Sequence, residues 1–163
     1  MSLFGHLFAI CAFLASVLSE PSSEYCTTPF FLSGRGCEGI ILKYFYNASS
    51  GLCERFKWNG CGEEGVFGSL YECVSACNQN QGAPFCAENP PSPCDETECK
   101  NPRRRQRYYY NITTQTCEEY GFCGGSQSLL DVNYFVSKSY CEKICGGFDE
   151  DTARGNNEPE IME

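Results

Sequence analysis

The sequence KYFYNASSGLCERF, residues 43–56, occurs a second time as RYYYNITTQTCEEY, residues 107–120. Three pairs share the offset of 64, namely Tyr44 and Tyr108, Asn47 and Asn111, and Cys53 and Cys117. Three later pairs share an offset of 68, namely Phe67 and Phe135, Cys73 and Cys141, and Cys77 and Cys145, while Cys26 and Cys86 differ by 60. The changing offset indicates loops of different length. We therefore predict a duplicated unit of about 60 residues.

Each copy has the pattern of a β-hairpin followed by a helix. Aromatic strands at residues 43–46 and 107–110 lead into polar turns at 47–51 and 111–115, and a second strand follows from the middle cysteine. Ser69 and Glu72 predict the capped start of the first helix, and Ser139 and Glu142 that of the second. Cys73 and Cys77 lie on one helical face, so one can tie the helix to the hairpin and the other to the N-terminal strand.

Composition indicates a small secreted protein held together by disulfides. The chain has 163 residues, 14 cysteines and a net charge of −9. Residues 1–19 have the pattern of a signal peptide, because the apolar run from Leu3 to Leu18 is too short for a membrane span. This segment contains Cys11 and His6, so the remainder has 14 − 1 = 13 cysteines and no histidine. We therefore expect a disulfide scaffold with no metal, cofactor, membrane span, nucleic-acid partner or histidine-dependent catalysis, and hence no enzyme.

The cysteine spacing resembles that of the Kunitz domain of pancreatic trypsin inhibitor. In the first copy, gaps of 10, 15, 7, 11 and 3 residues separate Cys26, Cys37, Cys53, Cys61, Cys73 and Cys77. The sequences YFYN (44–47) and FKWNGC (56–61) and the final C-x3-C also lie where that family has them. The resemblance implies a small disulfide-rich α+β fold of two tandem Kunitz domains. It also implies the pairs Cys26–Cys77, Cys37–Cys61 and Cys53–Cys73.

The second copy begins like the family, in APFCAENPPSPC (83–94), and then departs from it. Seven additional residues, including Cys99, precede Tyr108, and the intervals on either side of Cys123 also differ from the pattern. The resemblance implies Cys86–Cys145 and Cys117–Cys141. Cys123 is expected to pair with Cys94 or Cys99, and the alternative is a Cys94–Cys99 bridge with Cys123 free. We expect a monomer unless the odd cysteine forms a dimer.

These patterns predict five segments. They are a signal peptide (1–19), Kunitz domain 1 (20–80), a linker (81–85), an atypical Kunitz domain 2 (86–147) and a disordered acidic tail (148–163). Residues 148–163 contain six acids and one base, for a net charge of −5, and show no periodicity. Because the connection at residues 78–84 is short and polar, we expect the two domains to move relative to each other.

The resemblance assigns a reactive-site loop to Gly36, Cys37, Glu38, Gly39 and Ile40. In the family, the residue after the second cysteine, here Glu38, enters the S1 pocket of a serine protease. Trypsin-like S1 pockets have a carboxylate at their floor, so inserting Glu38 would cost on the order of several kcal/mol. Three interpretations remain: Glu38 meets a basic rim, the target protease has an unusual specificity, or the loop is a solvated turn. We favour the first, because the surrounding residues have the pattern of a presented loop.

The second copy's loop, CDETECKNPRRRQR (94–107), is ambiguous, because Asp95 follows Cys94 and Lys100 follows Cys99. Its basic residues are Arg103, Arg104, Arg105 and Arg107. They are interpreted either as a solvated loop or as a contact for an acidic clotting-factor domain or another polyanion. Asn47-Ala-Ser49 and Asn111-Ile-Thr113 predict glycosylation at equivalent turns, with turn-favouring asparagines as the alternative.

Two Kunitz-like units with a disrupted second loop resemble the tick salivary anticoagulants related to tissue factor pathway inhibitor. The resemblance implies a secreted, extracellular serine protease inhibitor. One unit would hold factor X or Xa outside its active site as a scaffold, with the acidic tail on a basic exosite. The Glu38 loop would then engage factor VIIa bound to tissue factor. The alternative is a non-inhibitory Kunitz scaffold that blocks an ion channel or a receptor.

Overall fold

The computed structural model describes residues 24–30, 36–91, 105–122 and 132–155.

The first unit contains a two-stranded hairpin. Strand β1 (Ile41–Asn47) pairs antiparallel with β2 (Leu52–Trp58), so that Tyr44 lies opposite Arg55. Phe67 adds a short bridge to Tyr44, with the two residues exchanging backbone hydrogen bonds of 2.8 and 3.1 Å. The aromatic strands and the polar turn thus form the hairpin that the sequence predicts.

Helix α1 (Leu70–Cys77) follows the first hairpin and begins at the predicted cap. The Ser69 hydroxyl accepts a hydrogen bond from the backbone N–H of Glu72 at 3.2 Å. The Glu72 carboxylate reaches back to the N–H of Gly68 at 2.7 Å, one residue before the position that a capping box would use. These bonds satisfy backbone donors that the first helical turn leaves without an intrahelical partner.

The second unit repeats this architecture. Strand β3 (Arg105–Asn111) pairs antiparallel with β4 (Thr116–Phe122), and helix α2 spans Lys138–Cys145. A 3₁₀ helix, Pro84–Ala87, precedes the hairpin. The predicted cap at Ser139 is wrong: Ser137 is the N-cap, and its hydroxyl accepts from the N–H of Tyr140 at 3.2 Å. The offset of 68 that joins the later cysteines places Ser137, and not Ser139, opposite Ser69.

Disulfides tie the described segments of each unit together. The bridges Cys53–Cys73 and Cys117–Cys141 join hairpin to helix, and Cys26–Cys77 and Cys86–Cys145 join the start of each unit to the end of its helix. With Cys37–Cys61, these are the pairings that the resemblance implies. The segment around Cys26 consists of turns and bends, so the expected N-terminal strand is absent from residues 24–30. Cys94, Cys99 and Cys123 lie outside the described residues.

The Asn133 side chain connects the second hairpin to the start of its unit by hydrogen bonds. This side chain is fully buried, and its Oδ1 accepts from the N–H of Tyr110 at 2.7 Å. Its Nδ2 donates to the carbonyl of Tyr110 at 2.7 Å and to that of Glu88 at 2.8 Å. In the first unit, Gly65 stands at the equivalent position, and the hairpin is held by Gln81. The Gln81 side-chain amide binds both the N–H and the carbonyl of Cys53, at 2.6 and 3.0 Å.

The predicted disorder of the acidic tail is wrong for its first part. Residues 150–154 form helix α3 (Glu150–Arg154), whose N-cap, Asp149, exchanges capping-box hydrogen bonds with Thr152. Phe148 and Ala153 are fully buried. Burial of these two side chains supplies the apolar contact that an acidic, aperiodic segment otherwise lacks. Residues 156–163 lie outside the described part of the chain.

The two units pack against each other. Tyr71 of α1 meets Phe148 edge-to-face, with ring centroids 5.1 Å apart. Lys143 Nζ of α2 donates to the carbonyl of Leu42 in β1 at 3.0 Å. The connection is packed as well, because Ala83 is buried and donates its N–H to the carbonyl of Ala153 at 2.7 Å. The buried residues of both units form one continuous cluster, which argues against the loose connection that the sequence suggested.

The described residues contain neither a membrane-spanning helix nor a cluster of metal-binding side chains. Within the described ranges, no helix combines the length and apolar character needed to cross a bilayer. Over the same residues, no group of three or more histidine, cysteine or acidic side chains is placed to hold a metal ion.

Candidate functional site

The predicted reactive-site loop is clamped to a second backbone segment. Cys37 is bridged to Cys61, and the N–H of Gly39 donates to the carbonyl of Asn59 at 2.8 Å. A Cβ on Gly39 would lie 3.0 Å from the Asn59 backbone, so this close approach requires glycine. A disulfide at the residue before Glu38 and a backbone hydrogen bond at the residue after it therefore hold the loop in a fixed shape.

The second segment is itself supported from the hairpin. Trp58 Nε1 donates to the carbonyls of Cys61 and Gly62, at 3.1 and 2.8 Å. Asn59 Oδ1 accepts from the N–H of Cys61 at 3.1 Å. Lys43 Nζ lies 5.6 Å from the centroid of the Trp58 ring, within cation–π range. A loop held in this way binds a partner with little loss of conformational entropy.

Glu38 is exposed at the tip of this loop. No ion pair to its carboxylate occurs among the residues for which the structure gives side chains. Ile40, with 79% of its surface exposed, and Ile41, with 41%, follow it along the chain. The loop therefore presents one negative charge followed by an apolar strip.

Phe30 extends the apolar surface and was not singled out from the sequence. It is 84% exposed, and it lines a shallow cavity together with Gly62 and Glu64, beside the clamped second segment. The signal in the sequence is weak, because a single phenylalanine in an irregular segment has no periodic partner to reveal whether it faces a core or solvent. Its exposed ring adds apolar surface beside the clamped second segment.

The basic loop predicted in the second unit is only partly described. Asp95, Lys100, Arg103 and Arg104 lie outside the described residues, whereas Arg105 and Arg107 belong to strand β3. Arg107 Nε donates to the Tyr134 hydroxyl at 2.6 Å, and its guanidinium lies 5.8 Å from the centroid of that ring. Arg107 therefore lies on the sheet, in the strand predicted at residues 107–110, and this strand begins two residues earlier, at Arg105, than the sequence suggested.

The two glycosylation sequons occupy equivalent turns with equivalent hydrogen bonds. Asn47 Nδ2 donates to Glu54 at 3.0 Å, and Asn111 Nδ2 donates to Glu118 at 2.9 Å. Each Asn Oδ1 accepts an N–H two residues on, at 3.0 Å. The hydroxyl of Ser50 and the amide of Asn47 hold the pKa of Glu54 below its usual value, and Tyr109 and Thr114 lead the groups that do so for Glu118. Both asparagines thus have a structural role in their turns, and glycosylation there stays a prediction.

Comparison with known proteins gives matches over both units. The family model described as the Kunitz/Bovine pancreatic trypsin inhibitor domain matches residues 25–78 and 85–146. Human tissue factor pathway inhibitor 2 is 35% identical over 114 residues, which cover 67% of this chain and 44% of that protein. The chain thus spans less than half the length of this human relative.

Two further matches involve shorter proteins. Doenitin-1 of Haemaphysalis doenitzi is 32% identical over 119 residues, covering 67% of this chain and 78% of that protein. Among solved structures, ixolaris, determined in a study of its interaction with factor X, shares 27% identity. That match covers 77% of this chain and 97% of the other, with a TM-score of 0.26.

Proposed function

Because this chain belongs to the Kunitz/Bovine pancreatic trypsin inhibitor family and contains two tandem domains, we propose that it is a secreted serine protease inhibitor whose main contacts lie outside the S1 pocket. The observation that carries this proposal is the clamped loop with Glu38 exposed at its tip. The clamp gives the loop the rigidity of an inhibitor. The charge of Glu38 opposes its entry into a pocket that has a carboxylate at its floor.

Surface beside the loop supplies the alternative source of affinity. Ile40, Ile41 and Phe30 are exposed large apolar residues, and such residues dominate binding energy when a partner desolvates them. Glu38 then lies at the rim of the interface, where a basic group of the protease can meet it in partly solvated surroundings. This arrangement fits the first of the three interpretations of Glu38.

The proposed target is factor VIIa bound to tissue factor, with factor X or Xa as the scaffold. The similarity to a human protein named tissue factor pathway inhibitor 2 supports a role in this pathway. The net charge of −9 also favours association with a basic exosite, through steering of the encounter. Release into the extracellular space is part of the same proposal, and it accords with the density of disulfides in both units.

The first test compares Glu38→Arg with the unchanged protein in trypsin inhibition assays. We expect the unchanged protein to inhibit trypsin weakly. The variant should inhibit roughly 100-fold more strongly or better, because removing a few kcal/mol of charge opposition corresponds to that factor. Glu119→Arg, an exposed residue of β4, makes the same charge change on the other unit and should alter nothing. Potent trypsin inhibition by the unchanged protein would contradict the proposal.

The second test measures factor VIIa–tissue factor activity with and without added factor Xa. We expect inhibition that depends on factor Xa and that weakens when Ile40 and Phe30 are both replaced by serine. Inhibition independent of factor Xa would refute the scaffold. No effect on any of these proteases at micromolar protein would favour the non-inhibitory binding module.

A further inference from the structure

A cavity of about 290 Å³ lies where the two units meet. The first unit lines it with Tyr44, Cys53, Arg55 and Leu70, and the second with Val132, Tyr134, Phe135, Tyr140 and Ile144. Gln81 and Phe85, from the connection between the units, complete the lining. None of these described lining residues belongs to the Glu38 loop. The cavity is therefore separate from the candidate reactive-site loop.

Arg55 and Tyr140 supply hydrogen-bond donors to the cavity. Arg55 Nη1 donates to the Tyr140 hydroxyl at 3.2 Å. Because this hydroxyl accepts from Arg55, its own proton is left to donate to a third group. The guanidinium has donors only, and its remaining N–H groups need an acceptor as well. Together the two residues present a cationic, donor-rich corner.

A third donor, the hydroxyl of Tyr44, belongs to the same corner. Burial and, to a smaller extent, the neighbouring Tyr140 raise the pKa of Tyr44 to about 12, although the Arg55 cation lowers it. Tyr44 lies opposite Arg55 in the first hairpin, and both residues line the cavity together with Tyr140. Since this pKa lies far above neutral, the hydroxyl keeps its proton and can donate it.

No carboxylate occurs among the described residues that line the cavity. The set of lining residues includes neither aspartate nor glutamate, and within the described part of the chain Arg55 forms no ion pair. An anionic group entering the cavity would therefore meet the Arg55 cation with no acid among these described residues. A hydrogen bond to a charged partner is roughly twice as strong as one between neutral groups.

The remainder of the cavity is apolar. Leu70, Phe135 and Ile144 are buried core residues that also line it. A dry cavity of about 150 Å³ with aliphatic and aromatic walls binds benzene. The cavity here is nearly twice that size, so it has room for a short hydrocarbon chain or a substituted ring in addition to a polar head.

We propose that this inter-unit cavity binds a small amphipathic carboxylate, such as a medium-chain fatty acid. The carboxylate accepts hydrogen bonds from Arg55, Tyr140 and Tyr44, and the hydrocarbon part packs against Leu70, Phe135 and Ile144. Because the lining comes from both units, a ligand bound here stabilises their contact by mass action. This site is independent of protease inhibition.

The test uses the full chain with its disulfides intact and octanoate as the probe. Octanoate is titrated against isotope-labelled protein while methyl signals of Leu70 and Ile144 are followed by NMR. We expect saturable shifts at these methyls. Arg55→Gln should weaken binding about ten-fold or more, because it removes the charged partner. Tyr140→Phe, which keeps the ring, should weaken it to a smaller extent. Arg154→Gln, an exposed arginine paired with Glu150, should leave binding unchanged.

Octan-1-ol provides the matched uncharged probe and should bind at least about ten-fold more weakly than octanoate. Three results would overturn the proposal: no saturable shift with octanoate at millimolar concentration, equal binding of octan-1-ol, or binding unaffected by Arg55→Gln. Arg55 is exposed and its replacement leaves the core intact, so a folded spectrum of the variant is expected and confirms that the comparison is valid.

Discussion

At the scale of single residues, the duplication allows each position to be compared with its counterpart. Gln115 has φ = 53° and Gly51, its equivalent in the first hairpin turn, has φ = 71°. Both lie in the left-handed region, where a side chain costs about 1–2 kcal/mol and glycine is free of that cost. A Cβ on Gly51 would contact nothing closer than 4.0 Å. The difference between the two turns is therefore one of backbone strain and not of packing.

Gln115→Gly is expected to stabilise the protein by roughly 0.5–1 kcal/mol. Relief of about 1–2 kcal/mol of strain exceeds the roughly 0.5–1 kcal/mol of added entropy in the unfolded chain. Gly51→Gln should have the opposite sign. The measurement is denaturant unfolding with the disulfides intact. Gln79→Gly, at an exposed position with ordinary φ, adds the same entropy cost together with the loss of the hydrogen bond from its amide to the carbonyl of Ser75, and it should destabilise. A loss of stability for Gln115→Gly would refute the strain argument.

Residue identity at the Glu38 loop could be predicted from the sequence, whereas its surroundings could not. The cysteine spacing locates Glu38 after a bridged cysteine, and its charge alone argues against a trypsin-like pocket. The support from Trp58 and Asn59 depends on carbonyls that are brought near only by the fold. Phe30 belongs to a segment with no periodic pattern. The sequence therefore predicts the loop and its charge but not the surface beside that loop.

At the scale of elements, α3 contributes more than its length suggests. It buries Ala153, is preceded by the buried Phe148, and receives the N–H of Ala83 from the connection. The hydroxyl of Tyr110 in β3 also donates to the carbonyl of Phe148 at 2.6 Å. Helix α3 and the residue Phe148 before it thus contact both the second hairpin and the connection between the units.

Phe148→Ala is expected to lower the free energy of unfolding by about 3–5 kcal/mol, the range found for removal of a fully buried phenylalanine. The loss comprises the transfer of the ring to water and the cavity left beside Tyr71. Unfolding by guanidinium chloride with intact disulfides measures it. Val136→Ala, at a 63% exposed position, serves as control and should change stability by less than about 0.5 kcal/mol. A similarly small effect of Phe148→Ala would show that α3 is not packed as described.

The hairpins could be predicted and α3 could not, for reasons of length and pattern. Each hairpin has three consecutive aromatic residues, a polar turn and a bridged cysteine, and all three features predict the same structure. Helix α3 spans Glu150–Arg154, a stretch too short to show a helical period, and its charge is typical of disordered segments. Its one signal is Asp149 followed three residues later by Thr152, a capping pair that is weak without an apolar run behind it.

At the scale of the whole molecule, the two units form one body. Tyr71, Phe148 and Gly147 meet at the junction, where a Cβ on Gly147 would clash with the Tyr71 ring. Lys143 and Arg55 add hydrogen bonds across it. The sequence does not reveal this junction, because a polar connection with no periodicity is typical of a spacer and contacts between distant segments leave no local pattern.

We expect nitrogen-15 relaxation to give a single rotational correlation time for both units. Independent units of about 60 residues would each tumble faster than the whole chain. Tyr71→Ala removes the ring that covers Phe148 and Gly147, and it should make the values for the two units diverge. Tyr25→Ala, which alters a tyrosine that is 53% exposed, should leave the common value unchanged. Two distinct correlation times in the unaltered protein would contradict the packed junction.

The family match ends at residue 146, but the side chain that covers Tyr71 is at 148. Dividing the chain at the domain borders that the family match gives would therefore yield two fragments, each with hydrophobic surface newly exposed to solvent. The solubility and activity of such fragments would reflect this newly exposed surface as much as the properties of the domain itself. Functional mapping of this protein is better done by point replacement in the intact chain than by cutting it.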